Sequence, residues 1–208
     1  MMNSLFDADV SDYSASEIEV LEGLEPVRKR PGMYIGGTDD RALHHLASEV
    51  LDNAMDETVA GYATRIDIRL EETGHLVISD NGRGIPVDPH PKFPDKSALE
   101  VIMTTLHSGG KFGGNAYSTS GGLHGVGASV VNALAAEMTV EVARNKSLYR
   151  QSFSRGKAMG KLEQLGAVSN RRGTQVRFLP DPEIFGDHAR LKPAVIYKLA
   201  RSKAYLFA

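Results

Sequence analysis

The chain predicts an α+β sandwich, with helices covering one face of a mixed, mostly antiparallel sheet. Two observations carry this expectation. A long amphipathic helix occupies the first third, and hairpins with period-two alternation dominate the remaining two thirds. Helices first and hairpins later favour segregated layers over alternating βαβ units.

Residues 1–19 have few apolar anchors, with Tyr13 and Ile18 the bulky exceptions after Val10, and read as an arm preceding a domain at 20–208. The stretch PVRKRPGMYIGGTD (26–39) carries Pro and Gly punctuation and is expected as a loop. In RALHHLASEVLDNAMDETVAG, Leu43, Leu46, Ala47, Val50, Leu51, Ala54 and Met55 recur at helical steps, and Gly61 stops the run. TRIDIRLEETGHLVISD alternates at Ile66, Ile68 and Leu70, turns at Thr73-Gly74 and resumes through Leu76–Ile78, which makes a hairpin. SALEVIMTTLH reads as a second helix and GASVVNALAAE as a third, with Asn132 inside it. MTVEVARNKSLYRQSFS is a hairpin about Asn145-Lys146. GTQVRFLPD is a further strand with Val176 and Phe178 on one face. The last segment, VIYKLARSKAYLFA, is helical in pattern and stops on an apolar run without a cap, as a cut inside a longer protein would.

Composition narrows the function classes. With 41% hydrophobic residues the 208-residue chain can bury a core, and it contains no apolar run of the ~18 residues that membrane spanning needs. Zero cysteines exclude disulfides, thiolate metal sites and cysteine nucleophiles. The acidic N-terminus is unlike a secretory signal, so a cytoplasmic protein is expected. The net charge of −2 hides an asymmetry. Residues 1–100 carry nine basic and twenty acidic side chains, and the remainder fifteen and six. A basic second half is an ordinary solvated surface or an attractor of phosphates.

Four stretches carry chemistry. On the first helix Glu49, Asp52, Asn53 and Asp56 share a face. Either that face is simply solvated, or a carboxylate and an amide one turn apart hold a water and a hard cation. Mg²⁺ needs few protein ligands when phosphate completes its shell. SDNGRGIP (79–86) is a plain turn, or else Asp80 leaves the core in a pocket and accepts from an exocyclic amine such as that of adenine. On that second reading Gly82 and Gly84 admit a flat ring close to the backbone. The segment SGGKFGGNAYSTSGGLHGVG (108–127) holds eight of the chain's 21 glycines. It matches neither the P-loop pattern nor G-x-G-x-x-G, but it opens directly into a helix whose free N–H groups suit an anion. The segment therefore reads as a phosphate lid with Lys111 as its point charge. His107 and His124 are candidate metal ligands, though isolated histidines more often pack. Thr174 is an ordinary β-branched strand residue or a hydroxyl beside the adenine pocket.

In this order, VRKRPGMYIG, EVLDNAMDE, DNGRGIP, GGKF, SGGLHGVGASVVNAL and GTQVRF resemble the N-terminal domain of type II DNA topoisomerases. They resemble more broadly the GHKL (Bergerat) ATP-binding fold shared by gyrase B, Hsp90, histidine kinases and MutL. EPVRKRPGMYIGG looks more like the B subunit of bacterial topoisomerase IV than gyrase B.

The resemblance implies ATP and Mg²⁺ as ligands, with Glu49 the base that activates water and Asn53 the Mg²⁺ ligand. It implies Asp80 on the adenine amine, supported by Thr174, with Gly84, Ile85 and Pro86 around the nucleotide. Lys111 and the segment Gly122, Leu123, His124, Gly125, Val126 and Gly127 correspond to phosphate contacts. Tyr13 matches an arm residue that reaches a partner subunit's nucleotide. Arg83, paired with Glu57, and Arg144 match pocket-mouth arginines used by aminocoumarin inhibitors. The implied function is an ATP-operated DNA clamp that dimerises, joins a topoisomerase A subunit and drives strand passage in decatenation, relaxation and chromosome segregation. An antibiotic target of that kind binds ATP or competitive inhibitors. The family completes its γ-phosphate site with a lysine from a second domain, so binding with little turnover is expected of residues 1–208. A histidine kinase catalytic domain or an Hsp90-like module is the remoter alternative. Glu49 argues against the kinase, which needs no water-activating base.

Overall fold

The computed structural model describes residues 20–108 and 127–206. Two short helices, α1 (Glu25–Lys29) and α2 (Gly32–Ile35), occupy the stretch expected as a loop. Its punctuation marks helix ends instead. Pro26 sits in the first turn of α1, where no N–H is needed. The Pro31 carbonyl accepts from the N–H groups of Tyr34 and Ile35, and Gly36 closes α2 at φ 81°. Val27 and Ile35 anchor the pair in the core.

The long helix α3 runs from Asp40 to Val59. Asp39 caps it by accepting from the Ala42 N–H at 2.9 Å. Its buried stripe contains every apolar residue expected from the periodicity, from Leu43 to Met55. Beyond it come β1 (Ile66–Leu70), β2 (Leu76–Asp80), a small ribbon of β3 (Pro89–His90) and β4 (Phe93–Ser97), and α4 (Ala98–Thr104). The third helix is shorter than its sequence pattern. Helix α5 covers Gly127–Ala133, and Ala135 already begins the strand β5 (Ala135–Arg144). Asn132 is wholly buried there and donates to the Met103 carbonyl at 2.9 Å, which ties α5 to α4.

The remaining elements are β6 (Ser147–Ser154), β7 (Lys157–Ala158), β8 (Glu163–Ala167), β9 (Gly173–Pro180), α6 (Pro182–Phe185) and α7 (Pro193–Leu206). The strands order as β1-β2-β9-β5-β6, with β7 and β8 both pairing with β6. Every pairing among the described residues is antiparallel, the limit of the mostly antiparallel sheet expected. The β5–β6 turn is Asn145-Lys146, with φ of 52° and 60°, as a tight hairpin demands.

Register explains why one face is covered. Leu70, Leu76, Phe178, Met138 and Phe153 stand in one cross-strand row, and Ile68, Ile78, Val176, Val140 and Gln151 in the next. Both rows face the helices and make up much of the core with α3. The alternate rows hold Arg69, Arg177, Asp67 and Arg150 on the opposite face, with the buried Val77 and Glu141 among them, tied by Arg177–Glu71 and Arg150–Glu141 pairs.

One polar knot closes the far end. Asp181 is 0% exposed, accepts from Arg28 at 2.8 Å and Arg155 at 2.9 Å, and caps α6 through the Glu183 N–H. Burial alone would raise its pKa, but the hydrogen bond from Arg155, the cap and Arg28 outweigh it and hold the carboxyl below its ordinary range. Its stabilising contribution is therefore present above the ordinary carboxylate range and is lost as pH falls through the depressed value. Asp181→Asn leaves two arginines facing a neutral amide. Breaking a buried pair costs about 3–5 kcal/mol, and the partly exposed arginines reduce the expectation to about 2–3 kcal/mol. Urea denaturation at neutral pH measures this, and the gap from the unsubstituted chain should narrow in acid. An unchanged midpoint would make the knot ornamental.

Candidate active site

Asp80 is the last residue of β2. Alternation puts its side chain on the helix-covered face with Leu76 and Ile78. Thr174, one residue into β9, lies on that same face opposite Val142. Two backbone groups converge on one carboxylate oxygen of Asp80, since Oδ1 accepts from the Gly82 N–H at 2.7 Å and from the Thr174 N–H at 3.4 Å. Burial pushes the Asp80 pKa up, and the Glu57 charge adds to that. The N–H groups of Gly82 and Thr174 oppose it without prevailing. Next door, Asn81 Oδ1 accepts from the N–H groups of Thr64 and Arg65 at 2.8 and 3.0 Å, which locks the exit of β2.

The glycines of this turn answer to their protein neighbours. A Cβ on Gly82 would meet Glu57 Oε2 at 2.7 Å and Asp80 Oδ1 at 2.8 Å. Gly84 has φ 76°, and a Cβ there would press on Val142 and two carbonyls at 3.0–3.3 Å. Both sites are glycine because strand β5 and the acidic side chains already fill the space. Proximity to a flat ring, the reason suggested by sequence, is not needed to explain them.

Arg83 is the most heavily tethered side chain of the site. Its Nη2 donates to Glu57 Oε1 at 2.7 Å and its Nε to Oε2 at 3.1 Å, as the sequence pairing anticipated. The guanidinium also lies 3.7 Å from the centre of the Tyr62 ring. Arg144 clamps the following turn by donating from Nη1 to the Gly84 carbonyl at 3.0 Å. Thr174 Oγ1 accepts from the Ile85 N–H at 3.2 Å, so this hydroxyl shapes the turn. Ile85 packs against the core, and Pro86 is exposed.

Helix α3 supplies the other wall. Glu49, Asn53 and Glu57 follow at intervals of four and form a stripe about 12 Å long. At one end Glu57 holds the Gly82–Arg83 turn. At the other, Glu49 lies 3.2 Å from His45 Nε2 and against Gly127, where any Cβ would collide with its carboxylate. Asn53 is exposed between them. The acidic face expected from sequence is narrower than its spacing suggested. Asp52 turns to Lys203 at 2.5 Å, and Asp56 is buried, so neither joins the stripe. The countercharge between these acids is a lysine of the chain itself. Among the described residues no set of three His, Asp or Glu could hold a metal, and His107 belongs to none. Asn53 is a hard oxygen donor in an open position, which fits a Mg²⁺ ion whose other ligands are phosphate and water.

The structure thus brings together Glu49, Asn53, Asp80, Arg83, Gly84, Ile85, Pro86, Gly127, Arg144 and Thr174. Tyr13, Lys111, Gly122, Leu123, His124, Gly125 and Val126 lie outside the described residues. Sequence reasoning missed Tyr62, Asn81 and Gly173. The last has φ 105° and room for no Cβ beside Asp80, and its place at the start of a strand, after two arginines, was its only signal.

Comparison with known proteins fits this geometry. Residues 38–184 match the family described as histidine kinase-, DNA gyrase B- and HSP90-like ATPase. The B subunit of DNA topoisomerase 4 from Bartonella bacilliformis is 68% identical over 197 residues, 95% of this chain, and that from Caulobacter vibrioides is 66% identical over 94%. The chain spans 28% of the length of each of these relatives. The B subunit of DNA gyrase from Synechocystis is 52% identical over 95% of the chain and 18% of its own length. The crystal structure of the 43K ATPase domain of Thermus thermophilus gyrase B with an aminocoumarin superposes with TM-score 0.78 at 50% identity, over 89% of this chain and 46% of that one. In fold and in sequence, the chain belongs to the histidine kinase-, DNA gyrase B- and HSP90-like ATPase family.

Proposed function

We propose that this chain is the ATP-binding and ATP-hydrolysing domain of the B subunit of a bacterial topoisomerase IV, a cytoplasmic isomerase that couples ATP turnover to passage of one DNA duplex through another. One observation carries the reading. A half-buried carboxylate acceptor, Asp80 beside Thr174, is joined through the Gly82–Arg83 turn and Glu57 to an α3 stripe that ends in Glu49. Asp80 Oδ1 is used by the backbone, and Oδ2 is left to accept from the adenine amine. From there the triphosphate runs along the stripe. Mg²⁺ held through Asn53 would neutralise phosphate charge. Glu49, beside His45, takes the proton of the attacking water. Arg83 and Arg144 flank the mouth, where an aminocoumarin-type inhibitor competes. A second B subunit, an A subunit and DNA complete the assembly in this reading. The higher identities to topoisomerase 4 relatives favour it over gyrase.

Glu49→Gln keeps the size and hydrogen bonding of the side chain but removes its basicity. In the full-length subunit, hydrolysis should fall by about 10²–10⁴-fold while ATP affinity stays near that of the unsubstituted protein. Wild-type turnover in the mutant would remove Glu49 from the reaction.

Asp80→Asn puts an N–H₂ within reach of the adenine amine. A mismatched buried polar pair costs about 1–3 kcal/mol, so calorimetry should show affinity lowered about tenfold or more. The unliganded chain should respond in the opposite direction. Asp80 has a folded pKa above its ordinary value of 3.8, so the folded state holds more protons there than the unfolded chain. Its contribution to stability therefore falls as pH rises through that window. Asp80→Asn should raise the melting temperature at neutral pH, with the difference vanishing in acid. Equal affinity and equal melting together would place the base elsewhere.

Topoisomerase IV and gyrase differ in outcome on DNA. The holoenzyme built on this subunit should decatenate and relax circles in an ATP-dependent manner. Introduction of negative supercoils would reassign it to gyrase.

A further inference from the structure

Helix α3 carries a second stripe, one residue behind the first. Asp40, His44, Ser48 and Asp52 also recur at intervals of four, rotated by about 100° from Glu49, Asn53 and Glu57. Three of these four contact α7 or the residue before it. Lys192 Nζ reaches Asp40 Oδ2 at 2.6 Å. The Lys192 N–H donates to His44 Nε2 at 2.8 Å, while His44 Nδ1 donates to the Asp40 carbonyl at 2.7 Å, which fixes the orientation of the buried ring. Ser48 Oγ donates to Asp52 Oδ2 at 3.4 Å, and Asp52 Oδ1 meets Lys203 Nζ at 2.5 Å.

Lys203 is out of place for a surface lysine. The covered side of α7 runs through Val195, Ile196, Leu199 and Ala200, and the next position of that stripe is Lys203. Its side chain is only 26% exposed, and that of Asp52 18%. An apolar pair would suit such a seam, and replacing a buried ion pair by packed apolar groups is often neutral or stabilising. Stability alone does not account for a charge pair here. An ion pair does fix what Leu on Leu leaves loose, the register and rotation of one helix on another.

We propose that Asp52 and Lys203 are positioning residues. Through them α7 sets the rotation of α3, and with it the placement of Glu49 over Gly127 and of Asn53 beside it. The inference rests on the proposed ATPase reading. Neither residue touches the nucleotide in this scheme, and both act through the helix that carries the base. Misplacement by 1 Å costs up to about 10²-fold in rate, so a small rotation of α3 is kinetically visible.

The test is made in the full-length subunit, with wild type and Glu49→Gln as controls. The pair Asp52→Leu with Lys203→Leu should keep the melting temperature and keep the KM for ATP within about twofold, yet lower kcat about tenfold. The exchanged pair, Asp52→Lys with Lys203→Asp, should recover at least half of the lost rate. A packing role would be satisfied by the apolar pair, so wild-type kcat in that variant overturns the proposal. Should the apolar pair fail to fold, Lys203→Met decides together with the exchange. A loss of kcat that the exchange restores supports the proposal, and an unaltered kcat overturns it. If the controls behave as expected and only these variants are silent, the positioning role falls and the ATPase reading stands. A wild-type subunit that does not hydrolyse ATP overturns both.

Discussion

The register of β2 against β9 is the constraint on which the rest depends. Ile78 opposite Val176 and Leu76 opposite Phe178 fix which face of β2 meets the helices. Side chains alternate with a period of two, so the same pairing decides that Asp80 looks inward and Ser79 outward. A slip of one residue would send Leu76 and Ile78 to solvent and take Asp80 out of its pocket. The apolar rows make that slip costly at roughly 25 cal/mol for each Å² of apolar surface exposed. The polar end of the strand is therefore placed by its apolar part. Gly173 secures the arrangement from the other side, because only a residue without a Cβ lets β9 come so close to the Asp80 backbone.

Helix α3 is then constrained on three sides at once. Its apolar stripe packs on the β2 and β9 rows, Glu57 reaches the turn after β2, and Asp40, His44 and Asp52 reach α7 or its lead-in. Propensity alone would tolerate any rotation of a 20-residue helix. The polar contacts remove that freedom, which suits an element that, in the proposed reading, carries the base. The same logic explains Gly127. Glu49 lies where a Cβ would be, so the first turn of α5 and the Glu49 side chain are fitted to each other.

Much of this was legible in sequence, for identifiable reasons. The helix at 40–59, both hairpins and the strand through Val176 and Phe178 announce themselves by periodicity, since each buries one regular face. Asp80, Thr174 and Glu57–Arg83 were legible because short motifs bind them to those elements. Helices α1 and α2 were hidden because proline and glycine mark helix ends as well as loops. The overlong third helix has a related cause. Ala133, Leu134 and Ala135 suit a helix locally, and β5 claims the chain from Ala135 because its ladder with β9 and β6 offers more. The fate of Asp52 was not legible at all. Nothing at position 52 reveals that a lysine 151 residues later stands against it. A sequence pattern shows which side chains share a helix face, and only tertiary packing shows what that face meets.

The electrostatics of the two helix stripes differ in a way that bears on function. Charges in the seam and the distal knot are matched. Lys203 meets Asp52, Lys192 meets Asp40, and Asp181 has two arginines and a depressed pKa. Along the site, the burial of Asp80 is met only by backbone N–H groups, and its pKa is raised. A folded chain gains nothing from leaving a carboxylate desolvated with so little compensation, and an adjacent Glu57 makes it worse. Such a position persists because the strand register enforces it. In the proposed reading, an amine that donates to Asp80 would supply the compensation that the two backbone N–H groups do not, and a ligand bringing an N–H donor to this point would be favoured for that reason.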